Sequence, residues 1–522
     1  MTRFLALAAA LAVACGGSSN NNPKVDSGSG GSGMDAALPP DAMLTTITGS
    51  AVFDIINGSG SQTLGLNAAA INITSASLNG SDFVTEIGTY NGTDGSFTVP
   101  VVQGDADWGV SIEFGSAADG AVPIWVIGND TSPDFSETFW EEATAVFPTK
   151  TTNTTLAATG LTPWGAIDDF EIMDPTNGAC FFSPYAIGNF KPALNAVAMN
   201  GTFNWALQTD GQLLGSGEPT FAWQLTTQGS AGNQFAAIAQ IGSAVAPVQT
   251  DGNGGALTFA LTKLTPNETL QVAFDHDGFE GLKSQVGTGA TDDPEQFFLV
   301  DALPFASQHG DYASAPDLVE WGVDSPIPAG SAVAQTFNYA NPFELSAGVP
   351  LEEFVIIRYL FDIKPKAPKA GSPSSTPVTV GIEQDIPLSM LSRTAVNSFT
   401  PAVTPVTDVQ VNGQAIDGAT ATGTTPTLSW TAPATGTITG YTIVIEQVAN
   451  HTNATQVTEV GVVNTKATSV QIPPGMIVPG ENVGYQFIIT AFAEPGFDPS
   501  HSPFQQKLPN PSASMLSGQF QP

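Results

Sequence analysis

Thr427-Leu428-Ser429-Trp430-Thr431-Ala432-Pro433 and Gly440-Tyr441-Thr442-Ile443-Val444-Ile445 are the stretches that decide how this chain is read. Each alternates apolar with polar residues, favours β-branched and aromatic side chains, and is bounded by Pro or Gly, which predicts short half-buried strands. The same grammar continues in both directions. Pro405-Val406-Thr407-Asp408-Val409-Gln410-Val411 precedes them, and Ser469-Val470-Gln471-Ile472 follows. Pro473-Pro474-Gly475 and Pro479-Gly480 then lead into Tyr485-Gln486-Phe487-Ile488-Ile489-Thr490-Ala491. Across all 522 residues, 54 Gly and 39 Pro keep elements short, and no long amphipathic helix pattern interrupts them. The expected fold class is all-β, a tandem series of β-sandwiches.

Order and spacing in this C-terminal part resemble a fibronectin type III domain. Trp430 and Tyr441 stand where that family places core aromatics, and Tyr485 opens a strand near the corner. The likeness covers roughly residues 404–510 and assigns 397–522 to one domain. It implies a seven-stranded immunoglobulin-like sandwich with Greek-key connections, serving as a spacer or binding scaffold. One departure is Val457 to Val463, interrupted by Gly461, where an irregular strand is expected.

At the other end, residues 44–163 read as a first sandwich. Thr45 to Asp54 and Ala70 to Thr74 alternate as strands. Asn91-Gly92 and Asp94-Gly95 supply turns before Ser96-Phe97-Thr98-Val99, with Phe97 and Val99 on one face, and Gly109 to Phe114 is a partner strand. This order resembles the transthyretin-like, carboxypeptidase-regulatory sandwich over about residues 45–115, which implies an interaction module.

Between them, residues 164–396 hold one or two further sandwiches. Thr202 to Leu207 and Thr220 to Leu225 look like paired strands with aromatics on one face. Glu353 to Phe361 is nearly all apolar and should be buried on both faces. Lys364 to Pro373 reads as an exposed loop or linker. Trp205, Trp223 and Trp321 make this block the first place to look for a binding surface, although core packing is the commoner use of such residues.

The first 43 residues carry an address. Arg3 precedes an unbroken apolar run, Phe4 to Ala14, that ends in small residues before Cys15. Eleven apolar residues cannot span a bilayer, which takes about 20, so this is export signal rather than membrane anchor. The layout resembles the lipobox of bacterial lipoproteins, making 1–14 a signal peptide and Cys15 the lipidated first residue. An ordinary signal peptide ending near a cysteine is the alternative. The Gly/Ser/Asn tract within 15–43 favours the lipid anchor, because it has almost nothing to bury and suits a tether. With Gly16 after the cysteine, the resemblance implies the outer membrane or cell surface.

Charge narrows the partners. Against 48 acidic residues stand 13 basic ones, net −35. No basic stripe exists to neutralise phosphates, so nucleic acid is excluded as a partner. An anionic membrane would repel the body, which leaves attachment to lipid. An unidentified protein or glycan is the expected ligand.

No catalytic residues are assigned. Four scattered histidines (His276, His309, His451, His501) have no zinc spacing, and neither Gly-x-Ser-x-Gly nor a phosphate loop occurs. Cys180, once Cys15 is acylated, has no disulfide partner and reads as a small buried hydrophobe. For metals, Asp275 and Asp277 in Asp275-His276-Asp277-Gly278 are weak candidates for calcium. Phe279 stands where a calcium loop needs its third ligand, so a solvated turn is the plainer reading. Asp168-Asp169-x-Glu171 and Glu137 to Glu142 are read as exposed acidic loops. The leading expectation is a non-catalytic display lipoprotein. The alternative is a secreted glycan-active hydrolase, or carbohydrate-binding protein, with a fibronectin type III spacer. A cleft lined by two carboxylates and a Trp within 165–395 would favour that alternative.

Overall fold

The computed structural model describes residues 43–522 except 58–59, 66–70, 80–81, 104–106, 116–120, 140–147, 175–179, 208–212, 292–294, 305–316, 324, 344–350, 367–376, 418, 421–422, 451–454 and 481. The expected signal, Cys15 and tether lie outside the described residues. Among the described residues strands dominate, and the helices have five residues or fewer. The fold is all-β and built of sandwiches.

Alternation dictates the first sandwich. In Ser96–Gln103, Phe97, Val99 and Val101 point inward while Ser96, Thr98 and Pro100 do not. These side chains meet Ile47, Val110, Ile112 and Phe135 in one core. Trp108–Phe114 pairs with Ile71–Asn79 on one side and Ile124–Ile127 on the other.

Residues 164–396 form parts of two sandwiches that share a continuous sheet. In the first, Ala198–Asn204, Asn153–Thr159 and Ala256–Ala260 make one layer. Asp169–Met173, Pro219–Ser230 and Asn233–Val245 make the other. Trp164, Phe170, Phe203, Trp205 and Phe259 fill the space between. Thr202 to Leu207 and Thr220 to Leu225 are therefore not paired: they contribute to facing layers of one core. Asn153–Thr159 precedes the expected boundary at 163, yet its backbone pairs with Ala198–Asn204. Main-chain hydrogen bonding, invisible in composition, assigns it to this sandwich.

In the second, Val333–Tyr339, Glu268–Phe274 and Asn397–Phe399 cover Glu295–Pro304, Asp317–Trp321, Leu351–Ile363 and Val378–Pro387. Phe354 to Phe361 are all buried, as their apolar run predicts. Asn397–Phe399 pairs with Glu268–Phe274, so these residues, expected in the last domain, complete this layer instead. Of the expected linker, residues 367–373 lie outside the described residues; the strands on either side, Leu351–Ile363 and Val378–Pro387, pair from Phe354↔Pro387 to Ile363↔Val378.

The C-terminal sandwich sets Gln414–Ala415, Thr407–Val411, Thr427–Thr431 and Ser469–Gln471 against Thr455–Thr465, Gly440–Asn450, Val483–Phe492 and Asn510–Leu516. Trp430 and Tyr441 meet edge to face, ring centroids 5.1 Å apart. Tyr485 Oη donates to Val478 O (3.0 Å) and accepts from Val478 N (2.9 Å). That is the tyrosine corner of immunoglobulin-like sandwiches. The expected irregularity is a β-bulge: Glu446 opposes Glu459 and Ile445 opposes Gly461, leaving Val460 as the extra residue.

Both edges of this last sheet are occupied by neighbours. Val462 to Thr465 pair in parallel with Ile124 to Ile127 of the first sandwich. Asn510 to Ala513 pair with Ile382 to Asp385 of the middle block. The result, among the described residues, is one hydrogen-bonded succession of seventeen strands.

Candidate functional site

Asp275 and Asp277 stand at a short helix. Asp275 caps the helix His276–Glu280, its Oδ1 accepting from Gly278 N at 3.0 Å. Asp277 Oδ1 accepts from Gly330 N at 2.9 Å, tying that helix to a neighbouring turn. One oxygen of each carboxylate is thus engaged by a local backbone donor.

The tryptophans are core residues. Trp205, Trp223 and Trp321 are fully buried, and their indole N–H groups donate to Thr154 Oγ1, Asp317 O and Asn233 Oδ1. Cys180 pairs through its backbone with Met173; its side chain is not among those described.

Acidic residues converge instead at a place the sequence did not mark. Oxygens of Glu171, Asp317 and Glu320 lie within 4.8 Å of one another. Glu171 sits in Asp169–Met173, directly opposite Trp223. A bulge then sets the face of the other two. Along the pair of Glu295–Pro304 with Asp317–Trp321, Leu299 opposes Glu320, Val300 opposes Val319, and Asp301 opposes Asp317. Leu318 is the extra residue, so Asp317 and Glu320 share a face despite their spacing of three, and Asp301 shares it with them. Meanwhile Phe298, Val300, Val319 and Trp321 turn to the core.

Asp168 and Glu171, expected in an exposed loop, are instead buried, and Asp168 is fully engaged: Gln224 Nε2, Thr227 N and Thr227 Oγ1 donate to it at 2.7–2.8 Å. Glu137 is half-buried on a strand, and most of the segment after it lies outside the described residues.

Crowding like charges in a buried place shifts their protonation. Burial, then the charges of Asp317, Glu320 and Asp169, push the Glu171 carboxyl well above the usual carboxylate range. Burial does the same to Asp301 and Asp317, which hydrogen-bond each other. The nearby cation is committed elsewhere. Arg358, itself buried, holds Asp385 through Nη1 (2.5 Å) and Nη2 (3.2 Å) and Glu383 through Nε (2.9 Å).

This arrangement has two carboxylates and a Trp together, and Glu171 and Trp223 have no exposed surface. Cavities lie elsewhere. One, beside residues 280–290, is shallow. The other, about 280 Å³, lies between the first and last sandwiches and is lined by Phe83, Trp108, Ile127, Thr427 and Pro473 among others. An all-oxygen cluster without nitrogen or sulfur ligands suits hard cations. Sequence reasoning missed it because Glu171 and Asp317 are 146 positions apart and the bulge at Leu318 leaves no mark in composition.

No family model matches the chain, and no curated protein matches it in sequence. Among solved structures, domains FN1–FN3 of chicken CNTN1 align over 91% of this chain and 97% of theirs, at 9% identity and a TM-score of 0.11. Domains A168–A170 of titin align over 73% of this chain and 95% of theirs, at 13% identity and a TM-score of 0.13. At such scores the likeness says nothing of how the sandwiches are arranged. The β-sandwich class stands on the strands and sheets themselves. Among the described residues no helix is long and apolar enough to cross a membrane.

Proposed function

We propose that this chain is a non-catalytic lipoprotein of the cell envelope, anchored by acyl groups on Cys15 and displaying β-sandwiches at the outer membrane for binding or structural support. One observation carries the reading. The apolar run Phe4 to Ala14 ends at Cys15, a Gly/Ser/Asn tract follows, and the first strand starts at Met43. Two acyl chains suffice for stable attachment where one is marginal. The net charge of −35 keeps the body off an anionic surface, so the lipid has to hold it. On this reading the carboxylates Glu171, Asp301 and Glu320, all buried, serve the fold. A protein or glycan is the partner class, and nucleic acid is not. The test is Cys15→Ser. The variant should move from the detergent phase to the aqueous phase on detergent partitioning and leave the membrane fraction. Unchanged membrane retention would overturn the anchor.

A further inference from the structure

We propose that Glu171, Asp317 and Glu320, with Asp301 beside them as a further source of negative charge, form a binding site for one hard divalent cation, calcium by its chemistry, that clamps Asp169–Met173 to Asp317–Trp321. The trio alone is only an acidic cluster. A separate observation makes it a site: carboxylate oxygens are buried there without partners. Glu171 Oε1 accepts no hydrogen bond, although Glu171 is 0% exposed; its Oε2 accepts from Asp317 N at 3.3 Å. Asp301, outside the trio and 2% exposed, also has an unpartnered oxygen, Oδ1, while its carboxyl is hydrogen-bonded to Asp317 and so directed at the cluster. Buried carboxylate oxygens without donors are costly and call for a counter-charge.

Ligand chemistry selects the ion. Clustered carboxylate oxygens suit a hard cation, and so buried a place favours calcium over magnesium, which gives up its waters reluctantly. Trp223 Nε1, donating to Asp317 O at 3.2 Å, fixes the backbone that presents one ligand. The position gives the ion a job. Asp169–Met173 belongs to the first sandwich of the middle block and Asp317–Trp321 to the second. Among the described residues two ladder pairs join Asn233–Val245 to Asp317–Trp321, Ala236↔Glu320 and Ala237↔Val319, and the hydrogen bonds from Asp317 N to Glu171 and from Trp223 Nε1 to Asp317 O cross the same join. An ion bridging Glu171 to Asp317 and Glu320 adds to them.

The experiment uses the full chain, stripped with chelator and melted in about 0.15 M salt so that surface charge is screened. Adding CaCl₂ to about 1 mM should raise the midpoint by several degrees, by ordinary linkage. MgCl₂ should do less. Equilibrium dialysis should retain a single tightly held calcium ion. Glu171→Gln and Asp301→Asn should each weaken calcium binding at least ~10-fold and abolish the rise. Their metal-free midpoints should equal or exceed that of the metal-free wild type, because a like-charge repulsion is gone. If Glu171→Gln does not fold, Asp301→Asn decides alone. A wild type that ignores calcium overturns the proposal. So does a rise that survives in the folded variants, which would show calcium on the acidic surface instead.

Discussion

Single residues carry the clearest tests of the C-terminal sandwich. Tyr485 Oη serves Val478 N and Val478 O, and also accepts from Gln447 Nε2 at 2.9 Å. Removing the hydroxyl deletes its three hydrogen bonds while keeping the ring. Tyr485→Phe should therefore cost about 1–3 kcal/mol, read as a lowered midpoint in calorimetry with unchanged secondary structure. Trp430, Tyr441 and Tyr485 were legible from residue type and spacing, because a large aromatic inside a strand has few places to go but the core. Glu171 was not legible. Its carboxylate marks a residue that is usually exposed, and only its pairing opposite Trp223 places it inside.

At the scale of elements, edges are what the fold manages. An exposed strand edge is a template for unwanted pairing, and the last sheet has both of its edges covered by other parts of the chain. On one side the cover is the parallel pairing of residues 462–465 with Ile124–Ile127. Asn464 pins it: Nδ2 donates to Trp125 O at 3.1 Å and Oδ1 accepts from Thr442 Oγ1 at 2.6 Å. Asn464→Ala should loosen this seam before anything else. Hydrogen exchange of the amides in 124–127 should accelerate, while those of Val483–Phe492 keep their protection. Equal acceleration in both would mean that Asn464 supports the whole sandwich and not the seam. Strands were legible from alternation, but their partners were not. Thr202 to Leu207 and Thr220 to Leu225 share an aromatic pattern and sit in facing layers.

For the whole molecule, the sheet succession matters more than domain borders. The middle block is hydrogen-bonded to the last sandwich, and the last sandwich to the first. The connection between Leu351–Ile363 and Val378–Pro387 consequently spans two strands that pair along ten positions. Cutting the backbone between residues 366 and 377 should leave two fragments that stay together through size-exclusion chromatography and separate only in denaturant. Fragments that part in native buffer would show that the segment is a true linker between independent units.

By itself, the amino-acid sequence determined the class of structure and the aromatic core of the C-terminal sandwich. Both rest on local pattern: a two-residue period and turn residues at strand ends. Only tertiary structure decided which strands pair, where the sandwiches join, and that Glu171, Asp301, Asp317 and Glu320 meet. Strand pairing depends on hydrogen bonds between distant segments, and a single extra residue at Leu318 reverses the face a side chain takes. Neither effect leaves a local trace.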